Sequence, residues 1–247
     1  MGQTGKPQRT TPAALGWRLL LLVVLGLTPL GLAACAADSG NQPLGCEAAT
    51  SPCLQGTAVV AMETSKGPVE VSLDGAAAPL TAGNFVDLVR RGVYNGTVFH
   101  RVVREPVPFV VQGGDPSSAD PKVAPSDYGS GGFVDPASGE SRRIPLELKL
   151  SNSQEPRYGE EITTPTATRQ LALTHERGAI AMARSSDPNS ASAQFYVALQ
   201  ALPELDGRYA VFGRVTKGME VIDRIQQGDK LIRARVIEGG TLVKKKP

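Results

Sequence analysis

Histidine is scarce in this 247-residue chain. There are two, His100 and His175, far apart and with no ligand spacing around them. Cysteine is nearly as rare. Cys35, Cys46 and Cys53 are the full set; they form no Cys-x-x-Cys and no zinc signature. No metal and no cofactor is therefore expected. Gly-x-Ser-x-Gly, Walker A and Gly-x-Gly-x-x-Gly patterns are also missing, which removes the usual signs of a serine hydrolase, a P-loop enzyme and a dinucleotide-binding enzyme. Neither charge sign dominates, with 26 Lys+Arg against 24 Asp+Glu. Three of the basic residues (Lys6, Arg9, Arg18) fall in the first 34 positions, which hold no acid. The remainder is close to neutral, so neither a nucleic-acid partner nor a polybasic membrane patch is indicated.

What is present is an apolar leader and a β-rich body. Residues 1–34 read as an export signal: a basic start, then an apolar run from Leu19 that ends in Leu32-Ala33-Ala34-Cys35. That run is short for a stable membrane span, which needs roughly 20 apolar residues. Residues 35–57 are rich in Ala, Gly, Ser, Asn and Pro and read as a flexible tether. Cys46 and Cys53 are close enough to form a small disulfide loop in an oxidising compartment. Such a loop would constrain only the tether, with no cysteine in the core. Residues 58–247 are then one domain, and 41% hydrophobic content over the chain suits a real core.

The domain opens with a hairpin, Ala58–Met62 and Val69–Leu73, around Ser65-Lys66-Gly67-Pro68. Pro79 near the start, apolar residues at Ala82, Phe85, Val86 and Val89, then Arg90-Arg91-Gly92, predict a helix. Ile144, Leu146, Leu148 and Leu150 alternate with Pro145, Glu147 and Lys149, as in a half-buried strand. Residues 116–143 and 151–170 are polar and aperiodic, longer than most loops inside a compact domain. Further strands are expected at 178–183, 194–199, 209–215 and 231–237, with a short helix after Gly218. The total is about eight strands and two helices, which permits a barrel or a sandwich.

The organising stretch is Val98-Phe99-His100-Arg101-Val102-Val103, followed by Phe109-Val110-Val111-Gln112-Gly113-Gly114-Asp115. It reads as two strands, the second ended by Gly-Gly-Asp-Pro. On residue type alone, Arg101 is a solvated outward position, Phe109, Met182 and Leu205 are core, and Gln112 caps a turn as readily as it lines a site. Gln194 and Tyr196 share a strand face, whereas Phe109 and Gln112 do so only with an irregular strand start.

As a combination, Phe-His-Arg-Val with Phe-x-x-Gln-Gly-Gly-Asp resembles the cyclophilin peptidyl-prolyl isomerases. Gly178–Ala183 with Ala193-Gln194-Phe195-Tyr196-Val197, and Leu205-Asp206-Gly207-Arg208-Tyr209 running on to Val215, extend the resemblance in the family's order. It covers roughly Ala58 to the C-terminus. The resemblance implies a mainly β fold: a closed, antiparallel, eight-stranded barrel capped by two helices. It implies Arg101 as the catalytic arginine and His100 as its active-site neighbour in a supporting role. Phe109, Val110, Met182, Ala183, Tyr196 and Leu205 are implied as pocket and groove walls, and Gln112 and Gln194 as polar groups that orient the arginine and the substrate backbone. Tyr196 stands where many members have Phe, Arg184 where Asn is common, Glu204 where many have Trp, and Tyr209 where those have His. These departures leave the arginine chemistry intact but put cyclosporin-type binding in doubt.

The expected activity is rotation about X-Pro bonds in exported, proline-containing unfolded or folding proteins. The alternative, from a different class, is a chaperone or scaffold that binds proline segments with little turnover. Leu-Ala-Ala-Cys also resembles the bacterial lipobox. It implies lipidation of Cys35 and a membrane anchor outside the cytoplasm, with ordinary cleavage or an uncleaved anchor as the other readings. A monomer is expected.

Overall fold

The computed structural model describes residues 45–46 and 51–244. The leader, Cys35 and most of the tether lie outside the described residues. Nine strands form one antiparallel sheet: β1 (Cys53–Thr64), β2 (Gly67–Asp74), β3 (Thr97–Val98), β4 (Arg101–Val103), β5 (Val110–Gly113), β8 (Ala179–Met182), β9 (Phe195–Ala198), β10 (Val211–Lys217) and β11 (Lys230–Val243). Their order is β3-β11-β1-β2-β10-β8-β9-β5-β4. Two more strands, β6 (Glu147–Leu148) and β7 (Arg157–Tyr158), make a separate pair. Among the described residues there are three α-helices: α1 (Pro79–Arg90), α2 (Pro165–Thr168) and α3 (Met219–Ile222). The fold is mainly β, as expected. The sheet has nine strands rather than eight, and α2 is an additional helix, one turn long.

The sheet curls into a half-barrel rather than the closed barrel expected. Its edges, β3 and β4, are consecutive in the chain and are joined through Phe99 and His100. β3 pairs with β11, and β4 pairs with β5. Covalent continuity, rather than a hydrogen-bonded ladder, links the two edges. Phe99 reinforces the join: its N–H donates to Asp229 O and its carbonyl accepts from Gly228.

α1 plugs the curl. Phe85, Val86, Leu88 and Leu80 are fully buried, and Arg90 lies in the last turn, where a cation suits the helix dipole. Gly83 meets β1 backbone to backbone; a Cβ there would lie 2.2 Å from Pro52 O. Aromatic residues are few but concentrated. Phe85 packs against Tyr94, Phe195 and Phe212 with ring centroids 4.9, 5.4 and 5.2 Å apart.

Two expectations change here. The folded body begins at Cys53, five residues ahead of Ala58, and Cys53 belongs to the apolar core. It is bonded to Cys46. The disulfide therefore ties the end of the tether to the barrel. Glu147 is also not on a solvated strand face. It is buried, and its carboxylate accepts the N–H groups of Leu80 (3.0 Å) and Thr81 (2.7 Å) at the start of α1. Ala78, at the helix N-cap, offers no side-chain acceptor, so Glu147 performs that role from 67 residues away in sequence. Burial raises its pKa despite these hydrogen bonds. Among the described residues no helix is long and apolar enough to cross a membrane.

Candidate active site

Strand alternation sorts residues 110–113, 179–182 and 195–198 into two sets. Val111, Ile180, Met182, Phe195 and Val197 join the main core. Val110, Ala179, Ala181, Tyr196 and Ala198 form a second apolar cluster, with Phe109, Ala183, Leu205 and Tyr209 packed against it. The site lies over this second cluster. Register places Arg101 opposite Gln112, Gln112 opposite Tyr196, and Tyr196 opposite Ala181, a single row across four strands.

A polar chain runs along that row. Arg101 Nη1 donates to Gln112 Oε1 (3.2 Å), Gln112 Nε2 to Gln194 Oε1 (3.2 Å), and Gln194 Nε2 to the carbonyls of Gly129 (2.9 Å) and Gly131 (2.7 Å). The two ends fix both amide orientations: a guanidinium only donates and carbonyls only accept. Asp115, buried at the end of β5, holds the same loop. It accepts N–H groups from Ser117, Gly129 and Gly131, and the Ser117 hydroxyl. Burial pushes its pKa up, but these hydrogen bonds outweigh burial and hold the carboxyl below the usual carboxylate range.

A cavity of about 240 Å³ opens beside Arg101. Phe109, Val110, Leu205 and Tyr196 give it apolar walls, and Arg101 and Gln112 supply its polar edge. Phe109 immediately precedes β5, so the irregular strand start lets Phe109 and Gln112 reach one site. The Arg101 guanidinium stands 5.8 Å from the Phe109 ring centroid. Ala183 lies between this cavity and a neighbouring one of about 250 Å³ that also includes Gln194.

Two residues fall elsewhere. Met182 is buried in the main core opposite Phe195, because it is one residue out of phase with Ala181 and Ala183. It does not line the cavity. His100 is packed beside Gly129, where a Cβ would come within 2.9 Å of its ring. Among the described residues neither of its ring nitrogens has a hydrogen-bond partner. Burial lowers its pKa. It supports the loop under Gln194 rather than facing the Arg101 cavity.

The structure adds groups that sequence reading had not placed in the site. Arg184 borders both cavities, and its side chain is only 6% exposed. Its donors go to Arg208 O, Ser185 O, Ser186 O and the Glu161 carboxylate, and its guanidinium stacks 4.8 Å from the Tyr209 centroid. It braces the groove wall, with Glu161 contributed by the long 151–170 segment. Behind Tyr196 lies His175, whose ring nitrogens meet Tyr196 and Asp206. Among the described residues no three His, Cys, Asp or Glu side chains gather as metal ligands.

Comparison with known proteins finds a matching family and several relatives. The sequence pattern of the family described as cyclophilin type peptidyl-prolyl cis-trans isomerase/CLD matches residues 59–244. A putative thylakoid lumen peptidyl-prolyl cis-trans isomerase of Synechocystis is 40% identical over 205 residues, covering 78% of this chain and 50% of that protein. The chain thus spans half the length of that relative. Peptidyl-prolyl cis-trans isomerase A of Dickeya dadantii is 35% identical over 173 residues, covering 68% and 70%. Among solved structures, a cyclophilin type isomerase of Cryptosporidium parvum superposes with a TM-score of 0.54 at 22% identity, covering 74% of this chain and 99% of that one. The same protein solved with the dipeptide Ala-Pro gives 0.53 at 23%, covering 73% and 99%. These two likenesses speak for the fold.

Proposed function

Because the chain belongs to the cyclophilin-type peptidyl-prolyl cis-trans isomerase family, we propose that it catalyses X-Pro rotation in the Arg101 cavity. The observation that carries this reading is the row Arg101–Gln112–Tyr196 beside an apolar cavity. A peptide bond resists rotation because nitrogen donates its lone pair into the carbonyl; the barrier is about 18–20 kcal/mol. Before proline, cis and trans lie within about 1 kcal/mol yet exchange over tens to hundreds of seconds. No nucleophile is needed. Phe109, Val110, Leu205 and Tyr196 enclose the proline ring, leaving the bond's nitrogen beside Arg101. Twisting frees the nitrogen lone pair, which then accepts a guanidinium N–H. The planar amide cannot offer that lone pair, so the contact favours the transition state over the ground state. Gln112 holds one Arg101 nitrogen, and the guanidinium stays charged throughout. Gln194, anchored to Gly129 and Gly131, fixes the groove floor along which the substrate backbone runs.

The Cryptosporidium structure solved in the presence of the dipeptide Ala-Pro supports proline-containing segments as ligands. The Synechocystis relative carries a lumenal name, and Cys46–Cys53 suits an oxidising compartment. Both support export, with residues 1–34 as the signal; lipidation at Cys35 as the anchor rests on the Leu32-Ala33-Ala34-Cys35 motif. Arg101→Ala tests the activity. Turnover of an X-Pro peptide, followed by exchange NMR, should fall about a hundredfold or more, while peptide affinity by calorimetry changes far less. An unmodified protein that binds the peptide without accelerating its rotation would remove the enzymatic reading.

A further inference from the structure

His175 lies just before β8, and its side chain is 1% exposed. Its Nδ1 stands 2.8 Å from Asp206 Oδ1, which also accepts the His175 backbone N–H at 2.8 Å. Its Nε2 stands 2.8 Å from the Tyr196 hydroxyl, with the two rings nearly parallel at 5.9 Å between centroids. The carboxylate can only accept, so Nδ1 carries the proton. In the neutral ring Nε2 is then the acceptor, and the Tyr196 hydroxyl donates to it. Burial keeps the imidazole neutral, although Asp206 and Glu204 pull its pKa the other way. Burial likewise raises the pKa of Tyr196, which stays a phenol.

Tyr196 therefore has two sides with different tasks. Its hydroxyl is held inside the fold. Its ring forms a wall of the cavity beside Arg101, with Tyr209 packed edge-on at 5.9 Å. A phenylalanine would fill the same space but leave Nε2 with no partner, and a free tyrosine could swing its hydroxyl into the groove. We propose that His175, oriented by Asp206, is a positioning residue that fixes the Tyr196 ring as the rigid inner wall of the proline pocket. This rests on the isomerase reading above and adds to it: Arg101 acts on the twisted bond, whereas His175 acts only through the wall that holds the ring of the proline.

A wall that contacts proline equally before and during rotation contributes uniform binding. His175→Ala should weaken affinity for an X-Pro peptide about fivefold to tenfold, the scale of one neutral hydrogen bond, and leave kcat within about twofold. In a Tyr196→Phe background the same substitution should add less than about twofold, because the hydroxyl through which it acts is gone. His175→Gln, which returns an acceptor near Nε2, should recover most of the affinity. Full additivity in the double variant, unchanged affinity in His175→Ala, or a loss confined to kcat would each overturn the proposal. Should His175→Ala not fold, nitrogen NMR of the unmodified protein decides: Nδ1 protonated and Nε2 bare at neutral pH is expected, and the opposite tautomer refutes it. Peptide affinity and tautomer are both read without turnover. An inactive protein would therefore defeat the isomerase reading while leaving these two measurements to judge the wall.

Discussion

Replacing Cys46 and Cys53 together by serine should lower the melting temperature by about 6–15 °C. The disulfide joins residues seven apart. In the chain-entropy account, a closed loop this short restricts the unfolded chain by about 2.5 kcal/mol. Cys53 is also 3% exposed and packed in the main core, next to the contact between Gly83 and β1. A serine hydroxyl among those apolar neighbours adds about 1 kcal/mol or more. For a chain of this size each kcal/mol shifts the midpoint by about 2–4 °C. Calorimetric melting of the oxidised protein, the reduced protein and the double variant separates the two contributions. Reduction alone should produce the larger part, and serine the remainder. A combined shift below about 2 °C would show that residues 51–57 do not pack as β1 does here, and that the bond constrains only a free tether.

Glu147→Ala strips two buried backbone N–H groups of their acceptor and should cost about 2–4 kcal/mol in urea unfolding; an unchanged midpoint would mean that another group caps α1. Asp115 carries a lowered pKa, so its stabilisation is present above the unfolded value near about 3.9 and is lost as pH falls through the folded value. Asp115→Asn should flatten that acid limb of stability against pH, and an identical limb in both proteins would refute the assignment. Mass spectrometry of the mature N-terminus should find a lipid-modified Cys35, and a chain that starts after Cys35 or retains Met1 would sink the anchor.

Much of the fold was legible because most of its strands obey period two and α1 carries its own start and stop residues. The Arg101–Gln112–Gln194 chain was legible because three short motifs carry it. Met182 shows where motif outran geometry: alternation with Ala181 and Ala183 already turns it inward. The start of β1 was hidden because Leu54-Gln55-Gly56-Thr57 lacks a clean alternation. Glu147 was read as solvated because its partners, Leu80 and Thr81, are distant in sequence and expose backbone rather than side-chain groups. His175 and Asp206 stand 31 residues apart, and no spacing rule joins them to Tyr196. Arg184 looked like a mere departure until Glu161 arrived from a stretch with no periodicity.

The two-sided strands 110–113, 179–182 and 195–198 also separate what selection can tune. Val111, Ile180 and Phe195 pack in the main core and Ala181 and Tyr196 in the second buried cluster, whereas Gln112 stands at the polar edge of the cavity. In a library covering every substitution, changes at Val111, Ile180, Phe195 and Ala181 should lower cellular abundance, whereas changes at Gln112 should lower activity at full abundance. Only the positions that stand clear of both clusters can vary without disturbing the fold.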